Sequence, residues 1–157
     1  MSKATRATRM LEAAKTAFTV HSYDYDPDAD AIGMQAAEAL GEPPARVLKT
    51  LMAKVDGKPV LAILPSDRQV AMKKLAAALG GKSAEMMKPA DAERLSGYKV
   101  GGISPFGQMK TLPAVIEEAA ITEPYVYING GQRGLQVRLA PQDAARLLDA
   151  KVTAIVA

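Results

Sequence analysis

The chain has no cysteine and no tryptophan. Without cysteine there can be no disulfide staple, no thiolate metal ligand and no cysteine nucleophile. Histidine is almost absent too: His21 stands alone. A multi-histidine metal site is thereby excluded, and no serine has a histidine base to spare, because His21 sits beside Val20 on an expected strand. Aromatics make up only 4% of the residues, so the core must be aliphatic and methionine-rich. No run of 18 apolar residues occurs, and the segment from Met1 to Met10 is polar and basic rather than signal-like. These absences predict a soluble cytoplasmic protein with no metal and no cofactor.

Apolar residues account for 48% of a 157-residue chain. That length suits one domain, residues 1–157, burying roughly 68–70% of the surface its unfolded chain exposes. The formal net charge is +3. A mild basic excess is compatible with a nucleic-acid partner, yet each scattered group of lysines and arginines, taken alone, reads better as a solvated helix face.

Periodicity alternates between helix and strand. Ala7, Met10, Leu11 and Ala14 recur at helical spacing over residues 4–17. Residues 20–25 read as a strand. A helix starts from an Asp30 cap and runs to about Leu40, where Gly41 and Pro43-Pro44 stop it. Residues 47–55 and 59–64 are strands joined by Asp56-Gly57, a hairpin signal. Helices are expected over 70–79, 90–95 and 141–148, and further strands over 115–116, 125–129, 135–139 and 152–156. Hairpins interspersed with helices imply an α+β fold around a mixed, partly closed sheet rather than a doubly wound parallel one.

Two tempting motifs fail on spacing. Gly80-Gly81-Lys82-Ser83 ends like a phosphate-binding loop, but its first glycine would fall at Ala76 and a helix precedes it where a strand is required. Asp24, Asp26, Asp28 and Asp30 alternate like a calcium loop. In either register alanine occupies the turn-glycine position, and Gln35 or Ala37 stands where a bidentate glutamate is needed.

Lys49 is different. Strand alternation places it with Val47, Leu51, Ala53 and Val55 on an otherwise apolar face. Such a lysine either snorkels past the strand end or holds an anion in a pocket. The richest stretch is residues 97–113, where Gly101-Gly102 followed by Ile103-Ser104-Pro105 forces a tight turn with bare backbone. Glycine permits close approach and positive φ, so amides there can face a ligand; composition taken alone favours a hairpin connection with no ligand.

Lys49-Thr50-Leu51, the stretch from Gly97-Tyr98 through Pro105 with Lys110 and Leu112-Pro113, and Gly130-Gly131-Gln132-Arg133-Gly134-Leu135 occur in a familiar order and spacing. In these the chain resembles the YbaK/EbsC-like aminoacyl-tRNA deacylases, of the type that hydrolyses Cys-tRNA(Pro). The resemblance covers nearly the whole chain. It implies the fold of the prolyl-tRNA synthetase editing domain, a barrel-like mixed sheet with helices outside. It implies trans-editing of mischarged tRNA alongside prolyl-tRNA synthetase, with the substrate's own thiol attacking the ester. It further implies that amides around Gly101, Gly102 and Ile103 serve the ester carbonyl while Lys49 holds the terminal adenosine or its phosphate. Tyr23, Thr50, Ser104, Pro105, Gly130, Gly131 and Arg133 would contribute to the substrate pocket. Ile32 replaces the family's pocket phenylalanine, Asn129 a serine, Gln136 an aspartate and Gln132 a lysine. Those departures leave open another mischarged tRNA, such as Ala-tRNA, or a non-catalytic binding module.

Overall fold

The computed structural model describes residues 4–28 and 34–157; Asp30 and Ile32 lie outside the described residues. Helix α1 (Arg6–Ala13) begins at a reciprocal cap, where Thr8 N donates to Thr5 Oγ1 at 3.1 Å and Thr5 N to Thr8 Oγ1 at 2.8 Å. It ends earlier than residue 17 because Lys15 turns left-handed, φ +57°. Strand β1 (Thr19–Ser22) is shorter than expected and leads into a loop carrying Tyr23 and Tyr25. Helix α2 (Gln35–Leu40) ends at Gly41 in the left-handed region, as its sequence position predicts.

Strands β2 (Leu48–Val55) and β3 (Lys58–Pro65) form the hairpin, with Val55 opposite Lys58. Helix α3 (Met72–Ala78) follows. The Gly80–Ser83 segment beyond it is tied to the hairpin turn, since the Asp56 carboxylate accepts from Lys82 N and Ser83 N. Strand β4 (Ala84–Met86), helix α4 (Pro89–Ser96), strand β5 (Ala114–Glu117), the short helix α5 (Glu118–Ile121) and strand β6 (Val126–Asn129) come next. Strand β7 (Leu135–Leu139), helix α6 (Pro141–Leu148) and strand β8 (Lys151–Thr153) complete the chain.

Two sheets result. One has the order β1-β7-β6, all antiparallel. The other is mixed, β4-β2-β3-β5-β8, with β5 parallel to both β3 and β8. The expected α+β class with a mixed sheet holds. Neither sheet closes on itself, however; among the described residues their backbones are joined by one bridge, between Val47 and Tyr127.

Alternation along β2 distributes its side chains among separate apolar clusters. Leu48 joins Phe106, Ile63 and Ile128, whereas Met52 joins Leu61, Met87 and Ala92. Ala53 and Val55 face Leu75 and Ala76 of α3. Val47 meets Ala36, Ala37 and Tyr127. The terminal strand stops at Thr153, three residues before its expected end, because the backbone there turns to a buried carboxylate. Glu117 Oε1 accepts from Ile155 N at 2.8 Å and Val156 N at 3.2 Å, and Oε2 accepts from Ala119 N at 2.9 Å.

Candidate active site

A gap in the strand pairing opens the site. Among the described residues, β4 pairs only with Ala53–Val55 of β2, and β6 pairs with this edge only through the bridge from Tyr127 to Val47. Between those contacts the outer edge of β2 borders a cavity of about 300 Å³. Val47 O accepts from Ser66 N beyond the end of β3, whereas Met52 O accepts from Met87 N beyond β4. Antiparallel alternation therefore aims the Thr50 N–H and C=O at the cavity edge, where no strand among the described residues pairs with them.

Lys49 lines this cavity and is half-buried. Burial pushes its ammonium below the ordinary lysine value, and the nearby Asp67 carboxylate partly restores it. Among the described residues it has no hydrogen-bond or ion-pair partner. Thr50, next along the strand, carries a buried Oγ1 without a partner among the described residues. Across the cavity stand Tyr23, Asn129 and Gln136. Gln136 is 5% exposed, and its Oε1 also lacks a partner. Desolvation pushes the Tyr23 phenol up, the Gln136 side chain opposes that, and Tyr25 adds to it.

The glycine-rich stretch forms the facing wall. Gly102 N donates to Lys99 O at 2.8 Å and Gly101 has φ +92°, the signature of a type II turn that requires glycine at its third residue. Gly101 and Ile103 border the cavity. Gly102 departs from expectation because its N–H is committed to the turn and cannot also serve a substrate. Its missing side chain has another cause: a Cβ there would fall 2.7 Å from Arg133 N and 2.8 Å from Gln132 C. Backbone rests on backbone.

The second glycine turn is stitched to the first by Asn129 and Arg133. Asn129 Nδ2 donates to Gly101 O and Gln132 O, each at 3.3 Å, and its Oδ1 accepts from Gly131 N at 2.7 Å. Arg133 Nε donates to Val100 O at 2.9 Å. Gly130 and Gly131 stand behind this wall rather than on the cavity. Gly130 O accepts from Thr5 Oγ1 at 2.5 Å, and a Cβ on Gly131 would meet the Tyr98 ring at 2.8 Å.

Ser104 and Pro105 lie elsewhere. Ser104 is fully buried, its Oγ accepting from Phe106 N at 3.1 Å. Pro105 borders a separate cavity with Met10, Leu61 and Leu148. Both follow the turn in sequence, but the chain dives into the core after Ile103. His21 is also remote in function: its Nε2 pairs with Thr19 Oγ1 at 2.8 Å and its ring packs edge-on to Tyr127. The structure thus brings Lys49, Thr50, Tyr23, Gly101, Ile103, Asn129 and Gln136 to one cavity. It adds residues that the sequence did not single out, chiefly Tyr25, Met52, Met86, Met87, Ala92 and Val100. Only Tyr25 left a trace, two residues after Tyr23 and so on the same side of an extended segment.

A mixed-sheet fold whose cavity is walled by one glycine turn, backed by a second, and by one lysine is the arrangement expected of an aminoacyl-tRNA editing domain. The chain belongs to the aminoacyl-tRNA editing domain family, whose model matches residues 26–147. It is an aminoacyl-tRNA deacylase, a hydrolase of the ester bond that joins an amino acid to tRNA. Among its relatives is EbsC of Enterococcus faecalis, provisionally named a Cys-tRNA(Pro)/Cys-tRNA(Cys) deacylase, 36% identical over 88% of this chain and 84% of that protein. The multifunctional Ser/Thr-tRNA deacylase ProXp-y of Escherichia coli is 28% identical over 90% of this chain and 86% of that one. A crystal structure assigned provisionally as a trans-editing enzyme for prolyl-tRNA synthetase superposes with a TM-score of 0.83. It is 23% identical and covers 99% of both chains, which shows the shared fold.

Proposed function

We propose that this deacylase clears Cys-tRNA(Pro) in trans, in the cytoplasm and alongside prolyl-tRNA synthetase. The observation that carries the proposal is the make-up of the cavity. No serine, histidine or carboxylate is among its described lining residues, while a cation and main-chain amides are. Such a pocket suits a substrate that brings its own nucleophile.

The cysteine thiolate attacks the carbonyl carbon of its own ester, forming a C–S bond. The bond from that carbon to the ribose oxygen breaks, and the leaving oxygen takes a proton. The resulting thiolactone is then hydrolysed by water to free cysteine. Gly101 and Ile103 amides stabilise the oxyanion, and Lys49 offsets the negative charge that thiolate and oxyanion bring into the cavity. The 36% identical relative named for Cys-tRNA supports this substrate.

A second reading has its own observation. The unpartnered Gln136 Oε1 and Thr50 Oγ1 would suit a substrate hydroxyl better than a thiol, which is a weak hydrogen-bond donor. Incubating the purified protein with Cys-, Ser-, Ala- and Pro-tRNA(Pro), with and without the synthetase, separates them. Preferential loss of the cysteinyl label is expected. Preferential loss of seryl or alanyl label would replace cysteine as the substrate.

A further inference from the structure

The mouth of the cavity carries groups for which the ester chemistry has no use. Among the described residues, large apolar side chains are exposed at five positions, and Met86 (46%) and Val100 (41%) both border this cavity. Tyr25 borders it as well, half-buried in the loop after β1. Arg133 does not line the cavity but is tied to two residues that do, Val100 and Tyr25. Its Nε is fixed on Val100 O at 2.9 Å and its guanidinium carbon lies 5.5 Å from the centre of the Tyr25 ring. The two Nη groups make no hydrogen bond or ion pair among the described residues. Among the described residues the carboxylate bonded to this turn is engaged, Glu93 Oε2 accepting from Val100 N at 2.8 Å, and Asp24 shares a neighbouring hollow with Arg133 without an ion pair between them.

An aromatic ring, two exposed apolar side chains and an anchored guanidinium with free donors form a combination with a definite complement. A flat base covers apolar and aromatic surface without needing base-specific hydrogen bonds. A planar guanidinium with paired donors matches phosphate oxygens. We propose that Tyr25, Val100 and Met86 form the platform for the 3′-terminal base of the RNA, and that Arg133 binds the phosphate on its 5′ side. The inference rests on the aminoacyl-tRNA reading and says where the nucleic acid docks. The nucleotide then sits on the rim, and Lys49 is left to the ester inside.

The test uses an uncharged RNA hairpin ending in single-stranded CCA, with binding followed by fluorescence polarisation over a range of salt. Tyr25→Ala should weaken binding about 10-fold, while Tyr25→Phe, which keeps the ring, should bind like the wild type. Arg133→Ala should weaken binding comparably and lower the salt dependence of log K by about 0.7, the share of one phosphate on a single strand. Arg133→Lys should recover the salt dependence. Removing the terminal nucleotide should erase the difference between wild type and Tyr25→Ala. A wild-type protein that fails to bind the hairpin, or Tyr25→Ala and Arg133→Ala variants that bind as tightly as wild type, would overturn the proposal. Cys-tRNA(Pro) hydrolysis is scored separately. Its absence with the binding differences intact defeats the substrate assignment alone, and its presence with unchanged binding defeats the platform alone.

Discussion

Lys49 is the cation on the cavity wall whose burial leaves a signature that titration can read. Its pKa in the folded protein is depressed by burial from 10.5, so the folded state binds its proton less tightly than the unfolded chain does. Stability linked to this group therefore rises with pH between the folded value and 10.5, and is lost as pH falls through the folded value. At neutral pH the charge is a burden on the fold, retained for the cavity. Lys49→Met should cut deacylation by about 100-fold or more without lowering the thermal midpoint. Near-wild-type turnover would remove Lys49 from the chemistry. Wild-type activity should also fall on the alkaline side at a pH below 10.5, and that limb should vanish from whatever activity the methionine variant retains. Gly102 makes the complementary case, in which what matters is an atom that is absent. A methyl group there meets the main chain of the second turn, which cannot swing aside as a side chain can. Gly102→Ala should cost about 1–3 kcal/mol in a urea titration and depress activity by moving Gly101 and Ile103. An unchanged midpoint would show that the two turns are less tightly apposed than 2.7 Å implies.

Among the elements, the C-terminal segment after β8 depends on one side chain. Glu117 is 3% exposed and its carboxylate receives three main-chain N–H groups, two of them from residues 155 and 156. Removing it leaves those donors without partners, at about 1–3 kcal/mol for a buried group. Glu117→Ala should lower the thermal midpoint clearly, and Glu117→Gln, which keeps one acceptor oxygen, should lower it less. Neither should change deacylation well below the midpoint, since Glu117 is not on the cavity; equal loss of activity in both would contradict that. This latch also explains which elements could be read in advance. Strand β7 and helix α6 fall within their expected limits because alternation in one and Pro141 at the start of the other are local signals. The β2–β3 hairpin was legible from Asp56-Gly57. Strand β4 and helix α5 were not, because three or four residues carry no measurable period and β4 is defined only by its ladder to β2. The true end of β8 was hidden for a different reason: Val152 to Val156 looks like a strand, but a carboxylate 38 residues upstream of Ile155 captures its backbone. The site divides in the same way. Strand alternation singled out the lysine and glycine content the first turn, and the resemblance gave them roles and added the second turn, whereas Met52, Met86, Met87 and Ala92 reach the cavity only through tertiary packing that no local pattern records.

For the molecule as a whole, the question is whether the cavity can loosen independently of the core. Strand β2 argues that it cannot. Residues 47–52 all line the cavity, and of these Val47, Leu48, Leu51 and Met52 also pack in the apolar clusters. Ile103, on the facing wall, packs against two clusters at once, as do Leu148 and Ala150. Opening the cavity would therefore strip side chains from the core, and melting the core would pull apart both cavity walls. The sheets meet at one bridge, so the alternative has a concrete form: β1, β6 and β7 could separate first, taking Tyr127, Asn129 and Gln136 with them. Packing of Leu48 against Ile128 and Val137 across that junction opposes it. The expected outcome is one cooperative transition in urea, with far-ultraviolet circular dichroism and tyrosine fluorescence giving the same midpoint. The tyrosines are well placed to report a failure, because Tyr125 and Tyr127 lie on the smaller sheet and its approach while Tyr98 is buried in the larger cluster. A fluorescence midpoint well below that of the dichroism would mean that the three-stranded sheet detaches first. The cavity would then be a seam between two separately stable halves, and its geometry would depend on whatever holds that seam shut.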